Sequence, residues 1–368
     1  MNTARLLLSL AFALSCAACG APPATEPPPG PPHVSAGTLK ELHDIGLDSY
    51  FGKAVIASEE TVGDVTSVTF DPASGPVCIF GAKYMAHLQK TGSDKLLVFL
   101  GGGGACWTGF CKATPYADEG IIPLGPLHVE VATNPFKDFN VLYLPYCDGS
   151  VFSGDNDVPD PKADRHFHGR RNLAAGLDLL KRLGTIRTVA VGGVSAGAYG
   201  TLAATAMLRM LYPSADMFVY DDSGPWVQNL AETADVEARI KDWKFEQILP
   251  PSCTACAGGR GQLTAFMDWM LSRDDQLRVG MMSYYEDAVI GDNFTKLPGE
   301  AYKKLILTET GKLRDAHPDR VVRFMLEGDG HVLTLFWPDL VKVNGVGLRD
   351  WTAGLLAGGA ASKDLLGP

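Results

Sequence analysis

The fold is decided by the stretch Val189-Ala190-Val191-Gly192-Gly193-Val194-Ser195-Ala196-Gly197-Ala198-Tyr199-Gly200. It begins as an apolar, β-branched run that predicts a buried strand, and residues 201–211 after it predict a helix. Ser195 therefore stands at the apex of a strand–turn–helix unit, with a glycine two residues before it and another two after it. Glycines at these places allow a sharp turn and a close approach of helix to strand. Such a turn holds a serine hydroxyl out of the backbone, as a nucleophile requires, although glycine and serine also occur in ordinary turns.

Composition and charge are those of an ordinary globular protein. The chain has 368 residues, 46% hydrophobic and 20% charged, enough for one large domain or two small ones with a sizeable core. Its formal net charge is −10. We therefore expect no nucleic-acid partner, and the charge also disfavours a strongly polyanionic substrate.

The N-terminus resembles an export signal. Arg5 precedes an apolar stretch, residues 6–14, that is too short to span a bilayer. Small residues before a cysteine then resemble a bacterial lipoprotein cleavage site, so residues 1–19 are predicted to be a signal peptide of that type. Cys19, or alternatively Cys16, would carry the lipid anchor, and an ordinary secretory signal is the other interpretation. The mature protein is then a cell-envelope lipoprotein or a secreted protein.

The proline-rich residues 20–36 predict a semi-rigid linker, followed by a catalytic domain over residues 37–368. An even number of cysteines in an exported domain suggests disulfides. Cys106 with Cys111 and Cys253 with Cys256 would be local pairs, which leaves Cys78 with Cys147, although six cysteines allow fifteen pairings. Zinc at Cys253-x-x-Cys256 is disfavoured because no matching ligand pair accompanies it.

Candidate strands alternate with helical segments along the domain. Strands are predicted at residues 95–100, 139–144, 188–191, 217–220 and 321–326, and a helix at 172–183. This alternation predicts an α/β protein with a mostly parallel sheet covered by helices on both faces. Residues 225–280 carry three tryptophans and a cysteine pair, and predict an inserted helical cap, with additional core helices as the alternative.

A serine hydrolase also needs a histidine base and an acid that orients it. Downstream of Ser195 the only histidines are His317, in a polar turn, and His331, just beyond the last predicted strand. His331 is therefore the predicted base. In α/β-hydrolases the acid lies between nucleophile and histidine in the chain and follows a later strand, which favours Asp287. The alternatives are Glu286 beside it, and Asp222 or its neighbour Asp221 after the strand that follows the serine helix.

The oxyanion donors are predicted to be backbone N–H groups. Four glycines, residues 101–104, follow the strand that ends at Leu100, and Ala196 comes directly after the serine. A phosphate-binding loop is excluded because Cys106 and Trp107, rather than Lys and Ser or Thr, follow the glycines. We expect neither a metal nor a cofactor at this site.

These motifs together resemble the pectin acetylesterase and Notum carboxylesterase family. The motifs that carry the resemblance, over about residues 49–337, are the glycine loop Phe99–Cys106, the long block Tyr146–Asp155 and the turn Gly193–Gly197. The Asp222-Ser223-Gly224 segment and the segments of Asp287 and His331 follow in the same order. The resemblance implies an α/β-hydrolase fold and metal-free hydrolysis of carboxylic esters.

Carried over residue by residue, the resemblance makes Ser195 the nucleophile, Asp287 the acid and His331 the base. Gly104, Ala105 and Ala196 would supply the oxyanion N–H groups. The chain also departs from the family. Val194 stands where cysteine is frequent, Gly101 where an acidic residue is common, and Ala105 where tryptophan is usual, which reshapes the site near the acyl group.

The sequence thus predicts an exported serine carboxylesterase that hydrolyses short acyl esters, acetyl above all. The expected substrates are esters of extracellular polysaccharide such as pectin, or small-molecule esters. One alternative is a lipase or polyesterase that uses the aromatic cap to hold longer acyl chains. Another is a non-catalytic surface binding lipoprotein on a hydrolase fold, which retention of Ser195, His331 and an acid disfavours.

Overall fold

A computed structural model describes residues 30–334, 341–361 and 363–367. The predicted signal peptide, with Cys16 and Cys19, and the linker up to residue 29 lie outside these residues. Val34 is buried and Ser35 caps the first helix, so folded structure begins within the last residues of the predicted linker. Within the described ranges, no helix combines the length and the apolar character needed to cross a membrane.

The chain alternates strands and helices over most of its length. The helices are α1 Ala36–Asp44, α2 Gly169–Asp178, α3 Ala196–Leu211, α4 Thr233–Trp243, α5 Thr264–Leu271, α6 Glu300–Ala316 and α7 Leu348–Ala357. The strands are β1 Ile56–Val62, β2 Val65–Phe70, β3 Met85–Gln89, β4 Lys95–Leu100, β5 Gly104–Trp107, β6 Phe110–Ala113, β7 Asn140–Leu144, β8 Asn156–Val158, β9 Arg165–Phe167, β10 Thr188–Val194, β11 Asp216–Asp222, β12 Leu277–Tyr284, β13 Val321–Leu326, β14 Lys342–Val343, β15 Val346–Gly347 and β16 Leu365–Leu366.

One ten-stranded sheet organises the molecule, in the order β1-β2-β3-β7-β4-β10-β11-β12-β13-β16. The strands from β7 to β16 are parallel, whereas β1, β2 and β3 form an antiparallel extension at one edge. β10 lies in the middle of the sheet between β4 and β11. The predicted α/β-hydrolase fold class, with a mostly parallel sheet, is confirmed.

Both faces of the parallel part are buried, because alternate residues of each strand enter different cores. In β4, Leu96, Val98 and Leu100 belong to one core, and Leu97 and Phe99 to the other. Helices α2, α3, α5 and α6 contribute to the first core, while α7 and residues 127–139 contribute to the second. This two-sided burial explains why these strands are continuous apolar runs in the sequence.

The predicted strands are all present, and β4 and β13 have the predicted bounds. The helix predicted at 172–183 begins three residues earlier, as α2, and ends in a 3₁₀ turn at Leu179–Arg182. Five further strands of the main sheet, β1, β2, β3, β12 and β16, were not predicted. β12 fills the position between β11 and β13, and so completes the parallel row.

The segment predicted as a helical cap has two different parts. α4 lies against β5, where Trp243 Nε1 donates to the Cys106 carbonyl at 2.6 Å and Asp242 accepts from the Thr108 N–H at 2.6 Å. α5 packs instead with α3 and α6 against the sheet. The predicted end of the cap near residue 280 is wrong, because β12 begins at Leu277 and is part of the sheet.

Three disulfides join the six cysteines of the described domain. Cys78 pairs with Cys147, Cys106 with Cys111, and Cys253 with Cys256, which is the one of the fifteen possible pairings that the short spacings suggested. The first bond spans 69 residues and holds the start of the Tyr146–Asp155 block against the antiparallel edge of the sheet. The second closes the β5–β6 hairpin, which follows the glycine loop.

The Tyr146–Asp155 block forms a tight loop around the buried side chain of Asp148. One carboxylate oxygen, Oδ1, accepts hydrogen bonds from the Ser150 N–H at 2.7 Å, the Ser150 hydroxyl at 2.5 Å and the Phe152 N–H at 3.3 Å. Val151 and Phe152 both have positive φ, at 50° and 62°, which is costly for residues with a Cβ. Asp148 therefore holds the loop in a conformation that its sequence would otherwise disfavour.

Asp148 makes the stability of the protein depend on pH. Burial raises the pKa of its carboxyl from 3.8 to about 6. Between these values the native state keeps a proton that the unfolded chain releases, so this contribution to stability is lost as pH rises. The quantity to follow is the difference in unfolding free energy between the wild type and Asp148→Asn. We expect this difference to fall by about 3 kcal/mol from pH 3.5 to pH 7. Urea denaturation of both proteins at each pH measures it.

The variant removes the titrating group and leaves all other carboxyls in place, so subtraction isolates Asp148. A difference that stays constant over this pH range would show that folding leaves the pKa of Asp148 unchanged, and one that increases would show that the folded protein favours the ionised carboxylate.

Candidate active site

Ser195 occupies a strained turn between β10 and α3. Its backbone has φ 55° and ψ −118°, a conformation that a residue with a side chain rarely adopts and that costs roughly 1–3 kcal/mol. The turn is fixed on both sides, because the Ser195 N–H donates to the Asp222 carbonyl at 2.8 Å and its carbonyl accepts from the Tyr199 N–H at 3.2 Å. This geometry is the one predicted for a nucleophilic serine.

The glycines beside Ser195 are required by contact between backbones. A Cβ on Gly193 would overlap the carbonyl of Gly197, and a Cβ on Gly197 would overlap the carbonyls of Leu100 and Gly101. The start of α3 therefore lies directly against the end of β4. Any side chain at either position would push the helix away from the strand and move the serine.

The glycine loop after β4 passes over Ser195. At Gly102, a Cβ would lie 2.9 Å from the Val194 carbonyl oxygen and 3.2 Å from the Cβ of Ser195. Gly104 and Ala105 line a pocket together with Ser195 and Ala196. Ala196 is the first residue of α3, so its N–H has no acceptor within the helix. The three predicted oxyanion residues thus line the same pocket as Ser195.

His331 lies in the loop after β13, and its imidazole contacts Asp287. The Nδ1 atom of His331 is 2.8 Å from Oδ2 of Asp287. A carboxylate accepts, so Nδ1 carries the proton, and Nε2 is then the atom able to act as a base. Asp287 is fully buried, and its Oδ1 accepts the N–H groups of Val289 and Ile290, both at 3.0 Å.

Backbone hydrogen bonds join the loop that carries Asp287 to the loop before His331. The Glu286 N–H donates to the Gly328 carbonyl at 3.0 Å, and the Ala288 N–H donates to the Asp329 carbonyl at 3.1 Å. The two loops follow adjacent strands, β12 and β13. The distance between carboxylate and imidazole is therefore set by the sheet as well as by the side chains.

Asp222 holds the other side of the histidine loop. It is level with Val194 in the sheet, and its carboxylate accepts from the Leu333 N–H at 3.0 Å, the Thr334 N–H at 2.8 Å and the Thr334 hydroxyl at 2.6 Å. Burial raises the pKa of the Asp222 carboxyl, and these hydrogen bonds oppose the rise. The structure thus places this alternative acid against the backbone that follows His331.

The remaining candidates lie elsewhere. The carboxylate of Glu286 is near Gly299 and near Lys303, whose pKa is raised chiefly by Glu327 and more weakly by Glu286. Asp221 is buried and accepts the Gly224 N–H at 3.3 Å, and burial raises its pKa well above the usual range. His317 bonds to Asp268, with 2.7 Å between Nε2 and Oδ1. Of the predicted acids, the structure brings Asp287 to His331.

Two pockets meet at Ser195. An open groove of about 410 Å³ contains Ser195, His331 and the glycine loop, with Ile122 and Leu124 on its outer wall. A smaller pocket of about 100 Å³, called the inner pocket below, is lined by Ser195, Ala105 and mostly apolar side chains. Ser195 is thus common to the groove and to the inner pocket.

The residues that form the walls of the inner pocket were not predicted from the sequence. Val151 comes from the Asp148 loop, Tyr199 from the first turn of α3, and Ile290 and Phe294 from a π-helical turn at Ile290–Thr295. The apolar residues directly after Asp287 were a usable signal for the last two. Val151 had no such signal, because its position depends on the positive φ that the Asp148 loop imposes.

Comparison with known proteins assigns the chain to a family. The family model for pectinacetylesterase matches residues 56–254, which include the glycine loop, the Tyr146–Asp155 block and Ser195 but end before Asp287 and His331. Pectin acetylesterase 11 of Arabidopsis thaliana is 27% identical over 226 residues, 55% of this chain and 57% of the relative.

Pectin acetylesterase 7 of the same plant is also 27% identical, over 171 residues, which are 42% of this chain and 44% of the relative. The chain thus spans about half the length of the curated relatives it matches. The family model covers more than half of the chain. On the strength of this match, the chain belongs to the pectinacetylesterase family.

Proposed function

We propose that the protein is an exported serine carboxylesterase that hydrolyses short acyl esters, acetyl above all, on extracellular polysaccharide such as pectin. The observation that carries the proposal is the His331–Asp287 hydrogen bond of 2.8 Å, beside a strained serine that shares a groove with His331. Family membership supports acetyl ester hydrolysis, since the relatives are named pectin acetylesterases.

In the proposed mechanism, Ser195 Oγ attacks the ester carbonyl while Nε2 of His331 takes its proton. The negative charge that develops on the carbonyl oxygen is stabilised by the N–H groups of Ala196 and of Gly104 or Ala105. Asp287 stabilises the imidazolium, which then protonates the leaving alcohol. Water, activated by the same imidazole, hydrolyses the acyl-enzyme and regenerates the serine.

Export is supported by the three disulfides of the described domain, because such bonds persist in oxidising compartments. We further propose a lipid anchor on Cys19, or on Cys16, as the N-terminal sequence indicates. The anchor would tether the enzyme through the proline-rich linker, which leaves the groove at Ser195 accessible to a polymer.

Replacing Ser195 tests the mechanism. Ser195→Ala removes the nucleophile, so we expect kcat for p-nitrophenyl acetate to fall at least 10³-fold with the folded structure unchanged. A fluorophosphonate probe should label the wild type and leave this variant unlabelled. Ser67→Ala, at a serine in β2 remote from the site, is the control and should retain both rate and labelling.

Wild-type rates in Ser195→Ala would refute the acyl-enzyme mechanism. A wild type that the probe does not label would instead favour the non-catalytic binding protein.

The choice of acid is tested by two neighbouring carboxylates. Asp287→Asn keeps the shape of the side chain but presents an amide to His331 and favours the wrong imidazole tautomer, so kcat should fall about 10³–10⁴-fold. Glu286→Gln, one residue away and directed toward Lys303, should change kcat less than about twofold. Steady-state kinetics with p-nitrophenyl acetate at saturating substrate measure both, and the reverse order of effects would assign the acid to Glu286.

One observation favours the second candidate function, hydrolysis of longer acyl esters. A site needs about 10–15 Å³ to hold a single water molecule, so the inner pocket of about 100 Å³ holds several groups of methyl size. An acetyl group fills only part of it. Ala105, where tryptophan is usual in the family, lines this pocket and leaves it open.

Filling the inner pocket should therefore change chain-length preference. Ala105→Trp should lower kcat/KM for p-nitrophenyl butyrate at least tenfold relative to acetate, because each excluded methylene loses roughly 1–3 kcal/mol. Ile122→Trp, on the wall of the outer groove, should leave the butyrate-to-acetate ratio unchanged. An unchanged ratio in Ala105→Trp would show that the acyl group does not occupy the inner pocket.

A further inference from the structure

Three metal-ligating side chains meet on a small hairpin that takes no part in the proposed reaction. Strands β8 and β9 pair antiparallel, and Asp157 lies directly opposite His166. His168 is two residues beyond His166, so it projects from the same face of the hairpin. None of the three lines either pocket at Ser195.

The three side chains converge on one carboxylate oxygen. Oδ1 of Asp157 lies 2.6 Å from Nδ1 of His166 and 2.9 Å from Nε2 of His168. One ligand atom from each residue lies within 4.8 Å of the others. Small movements of these side chains would bring two imidazole nitrogens and one oxygen to about 2.0–2.2 Å from a common ion.

The hydrogen bond of His168 to the backbone is compatible with a metal ligand. Its Nδ1 is 2.6 Å from the carbonyl oxygen of Gly75, which can only accept, so Nδ1 carries a proton. In the neutral ring, Nε2 then presents a lone pair to Asp157 Oδ1, itself an acceptor. A cation must lie between them, either a second proton or a metal ion. Metal-bound histidines commonly donate their other ring N–H to a backbone carbonyl in this way.

We propose that Asp157, His166 and His168 bind one divalent transition-metal ion, for which Zn²⁺ is the natural choice. Two imidazoles and a carboxylate suit zinc, and solvent can complete a tetrahedral shell on the open side of the site. His168 is nearly buried, with 7% of its side chain exposed, whereas the side chains of His166 and Asp157 are 31% and 57% exposed. The site thus has one buried ligand, His168, and an exposed side from which an ion can enter.

The ion would stabilise the folded hairpin and would take no part in ester hydrolysis. It would join the β8–β9 hairpin to the turn at Gly75 through His168, which also precedes α2. Asp155, two residues before Asp157, ends the loop that places Val151 in the inner pocket. Metal binding should therefore stabilise the hairpin and leave the nucleophile and its base unchanged.

Zinc titration of the folded, disulfide-bonded domain without an affinity tag tests the site. After treatment with EDTA and removal of the chelator, Zn²⁺ affinity is measured in competition with a chromophoric chelator, and thermal unfolding is followed with and without Zn²⁺. We expect one ion per chain and a higher Tm with Zn²⁺. His166→Gln and Asp157→Asn should each weaken binding at least tenfold and remove the Tm shift.

His43→Gln is the matched control. His43 forms an exposed pair with Asp48, with 2.7 Å between Nδ1 and Oδ2, but no second imidazole accompanies it. This variant should bind Zn²⁺ as the wild type does. Hydrolysis of p-nitrophenyl acetate should be unchanged in all three variants, so loss of the metal site and loss of esterase function remain distinguishable.

Two results would overturn the proposal. Equal Zn²⁺ affinity in the wild type and in both hairpin variants would place any bound ion elsewhere. Absence of Zn²⁺ binding and of a Tm shift in the wild type would show that the cluster is a hydrogen-bonded histidine–aspartate group only.

Discussion

The close contact between the end of β4 and the start of α3 is the constraint on which the site depends. Backbone carbonyls of Leu100 and Gly101 occupy the space that a side chain on Gly197 would need. Because helix and strand touch here, the chain must reverse within one residue, and Ser195 takes the strained φ of 55°. The strain is sustained by two backbone hydrogen bonds and by burial of the surrounding glycines. The backbone that carries the hydroxyl is therefore fixed before any substrate arrives.

The parallel sheet brings the other groups to this position. Strands β10, β12 and β13 end at the same edge, and each delivers one residue there: Ser195, Asp287 and His331. Asp222, at the end of β11, accepts hydrogen bonds from the backbone after His331, so the strand between β10 and β12 also holds the loop that carries the proposed base. A buried carboxylate with several donors is costly to remove, which makes this arrangement rigid. Ser195, Asp287 and His331 are far apart in the chain, but adjacent strands fix their positions relative to one another.

How much could be predicted from the sequence depends on whether a feature is local. Strands β4 and β13 were predicted with their bounds because each is an apolar run buried on both faces. β1 was not, since all seven of its residues are exposed and its Ser-Glu-Glu core shows no apolar alternation. β12 contains Arg278, Gly280 and Ser283, which interrupt the apolar pattern, and its place in the sheet comes from neighbours β11 and β13.

The same distinction applies to the site. Ser195 and the glycine loop lie in local motifs, and His331 follows from its place after the last strand, so all were predictable. The sequence favoured Asp287 but left Glu286 open, because adjacent residues are distinguished by the three-dimensional direction of their side chains, and it is Asp287 that contacts His331. The Asp157–His166–His168 cluster was missed because its members meet only once the hairpin register is known, and a His-x-His spacing alone is common in strands.

The proposed reaction and the proposed choice of substrate depend on different parts of this molecule. Ser195, His331 and the proposed oxyanion donors are held by strand ends and by the start of α3, where almost no substitution fits. The inner pocket is instead built by loops: Val151 from the Asp148 loop, and Ile290 and Phe294 from the π-helical turn. Ala105 lies between these two parts, in a strand that follows the oxyanion loop. A change of its side chain alters the volume available to the acyl group, whereas the part of Ala105 that the proposed reaction uses is its backbone N–H. The departure from the family at this position thus bears on which ester is bound, and leaves intact the means by which an ester would be cleaved.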